Sequence, residues 1–267
     1  MRPRAVAGII LRQFYLIRGS PVRVLPMFAW VAIDIVLWGF ITRYLDSVSA
    51  SGINFVSTLL GAVLLWDLFT RIMQGVTTAF LEDVWSRNFL NLFATPLSIA
   101  EYVTGLVLTS LAGSVVGLLA MLVLAVPFFG LSLLSLGALL IPFLLVLLCF
   151  GIALGIVASA MVLRLGPASE WLVWPLPALL SPFACVFYPL SVLPPPMRAV
   201  AYLVPPSYVF EGMRAVLAGR AFAAGPLAGG ALLALLYVVL AGFCFGRVHR
   251  YAVRSGLLAR YSAESVS

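Results

Sequence analysis

The chain contains no lysine: all 16 of its basic residues are arginine. A phosphate-binding P-loop needs a lysine after its second glycine, so nucleotide work of that kind falls to a partner. Histidine occurs once, at His249, which excludes a multi-histidine metal site. The three cysteines, Cys149, Cys185 and Cys244, are far apart in apolar segments and read as buried structural thiols. No constellation of nucleophile, general base or metal ligands is visible. No catalytic residue, no metal site and no enzyme activity are therefore expected of this chain.

Charge is scarce as well, at 9% of residues, while 63% are hydrophobic. Soluble domains carry about 25% charged residues. About 20 consecutive apolar residues suffice to cross a bilayer, and several such runs occur. The composition implies an all-α integral membrane protein forming a single domain over 1–267. Spans are expected at about Val24 to Leu45, Asn54 to Phe80, Tyr102 to Phe129, within Leu133 to Leu163, Trp171 to Val192 and Leu227 to Gly246. Six crossings put both termini on one side.

The N-terminal stretch does not read as a secretory signal, because Arg12 cuts its apolar run and no small-residue cleavage site follows. Wound as a helix, Arg4, Arg12, Tyr15 and Arg18 take one side and Val6, Ile9, Ile10, Leu16 and Ile17 the other. Residues 1–23 are expected to form an amphipathic helix in the membrane surface. Basic loops stay in the cytoplasm. With the termini inside, eleven arginines fall on the cytoplasmic side (2, 4, 12, 18, 23, 87, 164, 247, 250, 254 and 260). Four, Arg43, Arg198, Arg214 and Arg220, fall outside. The counts favour cytoplasmic termini.

Nine of the 17 prolines lie between Pro175 and Pro206, around the stretch PLSVLPPPMRAVAYLVPP. Proline donates no backbone hydrogen bond, and irregular backbone at membrane depth must pack in protein or face water. Residues 189–226 are thus expected to form short re-entrant helices at the outer boundary, over 197–204 and 207–219. The second would start on Ser207 as N-cap and end at Gly219.

Two stretches resemble the membrane subunits of type-2 ATP-binding-cassette exporters. One is LEDVWSRNFLNLFATPLSIAEYVTG (81–105), matched at Glu82, Arg87, Leu92, Thr95, Pro96, Leu97, Ser98, Glu101 and Gly105. The other carries Pro189, Leu190, Ser191, Leu193, Pro194 and Pro205, then Glu211 and Arg214. The bulky WSRNF departs from the small and acidic residues usual at that turn. The resemblance implies six spans, an interfacial first helix and cytoplasmic termini in a bacterial inner membrane. It also implies a permease that exports drugs, lipids or lipid-linked glycans. ATP and Mg²⁺ would be bound by a separate ATPase subunit, and a second permease subunit, identical or not, would complete the path. Membrane lipid is the remaining partner; no nucleic acid is implied.

The region 81–100 would then hold the coupling helix that docks into the ATPase, with Glu82, Asp83, Trp85, Arg87, Phe89 and Leu92 as contacts. Its mixed character suits docking: the charges ring a face whose Trp85, Phe89 and Leu92 can enter a groove, and Asp83 and Arg87 are spaced to pair. Three further charges, Asp34, Asp67 and Arg71, fall within spans, where each costs roughly 2.5–3.5 kcal/mol. They must face the bundle interior, either lining a transport path or clasping two spans together. Asp67 and Arg71, four apart, can pair. The pairs Gly113/Gly117, Gly151/Gly155 and Gly242/Gly246 permit close helix approach. Trp30, Trp38, Trp66, Trp171 and Trp174 read as interfacial anchors. The rival reading is a stand-alone secondary transporter or channel that uses the intramembrane aspartates and arginine as ion sites.

Overall fold

A computed structural model describes residues 1–19, 21–48, 56–86 and 89–257. Asn54, Arg87 and Arg260 lie outside that set. Among the described residues there are helices and turns but no strands. The chemistry of the solvent requires this: with no water in the hydrocarbon core, a helix satisfies its own backbone.

Helix α1 (Pro3–Arg18) is followed by α2 (Pro21–Val48). A π-helical turn (Val56–Leu60) then leads into α3 (Gly61–Trp85). A short α4 (Phe89–Ala94) precedes α5 (Ile99–Phe129), and α6 covers Leu140–Leu165. Four short helices follow: α7 (Glu170–Val173), α8 (Leu176–Ala184), α9 (Pro195–Ala201) and α10 (Pro205–Leu217). The last helix is α11 (Ala224–Arg254). Five helical stretches are long and apolar enough to cross a membrane: Phe28–Val48, Val56–Trp85, Ile99–Phe129, Ser135–Leu165 and Ala224–Arg254.

Buried side chains form two large clusters, one at each end of the bundle, and a small third one of Cys185, Leu193 and Ala201. The near cluster gathers Ile9, Phe80, Tyr102, Leu163, Val173 and Phe245. The far cluster gathers Leu60, Phe129, Phe143, Ala184, Phe210 and Leu227. Helix α3 runs from far to near, α5 returns, α6 runs near again, and α11 also ends near. Helix α2 ends at the far end, where Arg43 Nη2 donates to the Phe128 carbonyl at 2.6 Å. Helix α1 and the end of α11 therefore share the near end.

The expected span over 171–192 is not one long helix. Helices α7 and α8 meet at Trp174 and Pro175, which keep right-handed dihedrals. The run stops at Cys185, a non-glycine residue with φ 57°. Pro175, Pro177 and Pro182 supply no N–H, so the helix is kinked and short. From Glu170 to Ala184, roughly 15 residues rise about 22 Å. They still carry the chain from Val173 in the near cluster to Ala184 in the far one.

Prolines start helices here more than they stop them. Helices α9 and α10 begin on Pro195–Pro196 and Pro205–Pro206, two residues earlier than the sequence suggests in each case. At a first helical position the missing N–H would have no partner anyway, and the fixed φ suits the helix. Ser207 is consequently inside the first turn, not its cap; its hydroxyl donates to the Ala201 carbonyl at 2.8 Å. Gly219, at φ 65°, follows the end of α10 as expected. Helix α5 starts with a capping box: Ser98 Oγ accepts from the Glu101 N–H at 3.3 Å, and Glu101 Oε2 accepts from the Ser98 N–H at 3.0 Å.

Helix α3 is the axis of the bundle. Leu64, Leu65, Phe69, Ile72, Met73 and Phe80 are fully buried along its length. Its contact with α6 depends on glycine: a Cβ on Gly155 would lie 2.8 Å from both the Met73 carbonyl oxygen and Val76 Cβ, and one on Gly151 would collide with Ile72. Gly117 instead makes room for the Arg71 side chain, while Gly113, Gly242 and Gly246 face open space. The glycine spacing marks a helix seam only at α3–α6. Trp30, Trp171 and Trp174 are exposed. Trp38 stacks on Phe187 with centroids 5.1 Å apart, and Trp66 packs on Phe69 at 4.6 Å. Those two are packing residues, not exposed anchors. Cys244 is exposed, against the expectation of a buried thiol.

Gly155→Leu is expected to lower the thermal midpoint in detergent, since overpacking costs typically about 1–3 kcal/mol. Gly242→Leu should leave it unchanged; equal shifts in both variants would refute the seam.

Candidate functional site

Three polar groupings stand out in a chain with few charges, and each sits at a different depth. The first is the near-end turn joining α3 to α5. Trp85 ends α3 and is 51% exposed. Glu82, one turn back, is half-buried. Phe89 opens α4; its side chain lies outside the described residues. Leu92, in α4, is half-buried against the near cluster. It borders a groove of about 640 Å³ between α1 and the α4–α5 turn, whose wall includes Arg4, Gly8, Arg12, Thr95 and Pro96. The expected docking helix is therefore not continuous over 81–95. Among the described residues that region holds the last turn of α3, which ends at Trp85, and the six residues of α4.

Asp83 does not stay on the docking face. Its side chain is fully buried and ion-paired with Arg12 of α1, and its Oδ2 accepts from the Tyr102 hydroxyl at 2.7 Å. The reason is rotation. Asp83 and Trp85 lie about 200° apart on an α-helix, so exposure of the tryptophan turns the aspartate inward. Arg12, expected on the polar outer face of α1, turns inward to meet it. A second pair anchors the start of α1. Glu101 accepts from the Arg2 N–H at 2.6 Å, Nε at 3.2 Å and Nη2 at 3.0 Å. The carboxylate raises the Arg2 pKa above its ordinary value through these hydrogen bonds, then through charge. Gln13 is buried and reaches the Ala79 carbonyl at 3.5 Å. Gly105 receives Ile9. Helix α1 is thus bolted to α3 and α5, while Leu11, Phe14, Tyr15 and Ile17 face outward. Ile17, from the apolar side of the expected interfacial helix, and Tyr15, from its polar side, are thus both exposed. Arg2, Arg12 and Tyr102 were not legible as site residues. The one available signal was a pair of polar residues, Arg12 and Gln13, interrupting an apolar run.

The second grouping lies mid-bundle. Asp67 and Arg71 form the expected ion pair one turn apart on α3. The Arg71 stem passes against Gly117 of α5. Asp34, half-buried on α2, is within electrostatic reach of Arg71 and of Asp67. The three charges that sequence position suggested are brought together where α2, α3 and α5 meet.

The third grouping organises the far end. Glu211 Oε1 accepts from the Leu190 N–H at 2.7 Å and from Arg214 Nη2 at 2.8 Å. Arg214 also donates to the Cys185 carbonyl at 2.7 Å and to that of Val186 at 3.3 Å. It holds the left-handed residue, a conformation that costs on the order of 1–3 kcal/mol for a non-glycine residue. Arg198 Nη2 donates to the carbonyls of Ser191 and Leu193, at 3.1 and 3.0 Å. Pro189, in extended conformation, precedes a 3-10 turn (Leu190–Val192), and Pro194 precedes α9. Ser191 contributes its carbonyl to the Arg198 bond. The Glu211–Arg214 pair therefore fastens the proline-rich stretch to α10.

Among the described residues, no three of His, Cys, Asp and Glu gather as metal ligands would. The arrangement can bind, anchor and transmit force. These features define the class: an all-helical, multi-pass membrane protein. No family model matches the chain, and no curated protein matches it.

Breaking one side of a buried ion pair costs about 3–5 kcal/mol, because the other charge is stranded. Arg12→Met should therefore destabilise the chain strongly, while Arg12→Met with Asp83→Asn should recover most of the loss, read as the denaturation midpoint in detergent. No recovery would show the two side chains to be uncoupled. Asp67→Leu likewise should reduce the folded yield. Adding Arg71→Leu, so that neither charge is left alone, should rescue folding; a doubly substituted protein that still fails to fold would show that the pair is not a simple clasp.

Proposed function

We propose that this chain is the membrane-spanning permease subunit of an ATP-driven exporter of the type-2 ATP-binding-cassette class. It crosses a bacterial inner membrane six times, the kinked α7–α8 segment forming the short fifth crossing. Both termini are cytoplasmic, so the near end is the inner one; the positive-inside rule favours this, since Arg2, Arg4, Arg12, Arg164, Arg247, Arg250 and Arg254 belong to that end. Helices α9 and α10 form a re-entrant outer cap. A separate ATPase binds ATP and Mg²⁺ and docks on the α3–α4 turn. A second permease subunit faces this one across the path, and the cargo is amphipathic or hydrophobic.

The observation that carries this reading is mechanical. Exposed Trp85 and α4 sit at the tip of α3, which is buried along its length and held by Asp83 to both α1 and α5. A push on the tip cannot dissipate locally. It moves α3, and with it the Asp67–Arg71 pair, the α3–α6 seam and the groove beside α1. The rival, a stand-alone secondary transporter or channel, is favoured by one feature: Asp34 adds a second acid to a single arginine inside the bundle.

Two measurements decide between them. Arg87→Glu is expected to lower ATPase co-purification about tenfold, on the order of 1.4 kcal/mol, without shifting the thermal midpoint. Wild-type recovery of the complex would sink the docking assignment. The chain alone in liposomes should not concentrate cargo on an ion gradient; uphill transport there would establish the rival.

A further inference from the structure

Arg164, Arg247, Arg250 and Arg254 line one open cleft of about 520 Å³ at the near end, with Tyr251 and Val248. The wall is built by the last turns of α6 and α11. Arg164 lies over the Tyr251 ring at 5.9 Å, and Arg247 over the Phe243 ring at 5.6 Å. Four guanidinium groups in one cleft repel one another, so a fold that collects them leaves a debt of negative charge. The described residues do not settle it. The pairs Arg2–Glu101, Arg12–Asp83, Arg71–Asp67 and Arg214–Glu211 all lie elsewhere.

The pattern along α11 says what kind of anion fits. At 100° per residue, Leu236, Val239, Phe243, Arg247, Arg250 and Arg254 fall within an arc of about 80°. Leu236, Val239 and Phe243 are exposed on this arc, and the arginines continue it beyond them. The stripe is apolar along the membrane-spanning part and then abruptly basic, as a phospholipid's tail and head group would require. Guanidinium groups bind phosphate oxygens in pairs of parallel hydrogen bonds, and basic pockets between helices at a membrane face suit anionic head groups. We propose that this cleft binds the phosphate head group of an anionic phospholipid, with its acyl chains along the apolar half of the α11 stripe. The proposal needs the chain to be a multi-pass membrane protein and is independent of the exporter reading.

The test is lipid competition on the full chain in nanodiscs of phosphatidylglycerol mixed equally with phosphatidylcholine, read by native mass spectrometry of the retained lipid. Wild type should retain phosphatidylglycerol with a preference of about tenfold or more. Arg250→Glu with Arg254→Glu should abolish the preference, while Arg220→Glu at the far end should preserve it. If the charge reversal compromises folding, Arg250→Gln with Arg254→Gln should show a partial loss. The proposal is overturned by equal retention of both lipids in wild type, or by a preference that survives the α11 substitutions. It is overturned too if millimolar inorganic phosphate alone strips the lipid, which would make a soluble phosphate the ligand. Loss of a co-purifying protein with lipid preference unchanged would assign the cleft to protein docking instead.

Discussion

The Met73 carbonyl lies so near Gly155 that no side chain could stand between them. Backbone of α3 and backbone of α6 are thereby in direct contact, and everything else in the bundle is arranged around that contact. Where neither lipid nor a neighbouring helix offers water, close packing and dispersion supply the attraction. Thr77 and Ser159 turn their hydroxyls onto the Gly155 carbonyl, at 3.4 and 2.8 Å, and so reinforce the same point. With α3 fixed against α6 on one side and α5 on the other, its two ends become the places where anything can be sensed or moved.

Charge is used with corresponding thrift. Glu101, Asp83, Asp67 and Glu211 each meet an arginine, and the pairs fall at three levels of the bundle. Arg2–Glu101 and Arg12–Asp83 hold the surface helix to the near end. Asp67–Arg71 sits mid-bundle, and Glu211–Arg214 closes the far end. The last of these binds two turns of irregular backbone that the prolines leave without helical partners. Burial makes such pairs sensitive to the loss of either member, which is why they position segments so firmly. Of the other arginines, Arg164, Arg247, Arg250 and Arg254 gather in one cleft at the near end.

Much of this was legible from residue order. The apolar runs located α2, α3, α5, α6 and α11, because length and hydropathy govern insertion directly, but not all of their ends: α11 continues past the expected Gly246 to Arg254, and α6 starts only at Leu140. The i, i+4 spacing of Asp67 and Arg71 foretold their pairing, and Gly219 foretold the end of α10. The expected span over 171–192 is broken into the short helices α7 and α8, since hydropathy counts proline-bearing apolar residues as if they could all share one helix. Asp83 was placed on the wrong face, because a four-residue spacing to Arg87 says nothing about which side of α3 a neighbouring helix will cover. Ser207 was taken for a cap where the preceding prolines had already begun the helix.

What the chain by itself determined is its medium and its architecture: too apolar for water, and therefore a bundle of helices. These are properties of composition, which no folding can alter. Tertiary structure decided which charges meet. Arg2 finds Glu101, Arg12 finds Asp83, and Arg214 finds the carbonyls at Cys185 across separations of 99, 71 and 29 residues. Helix rotation and crossing set those encounters, and local sequence carries no measure of either.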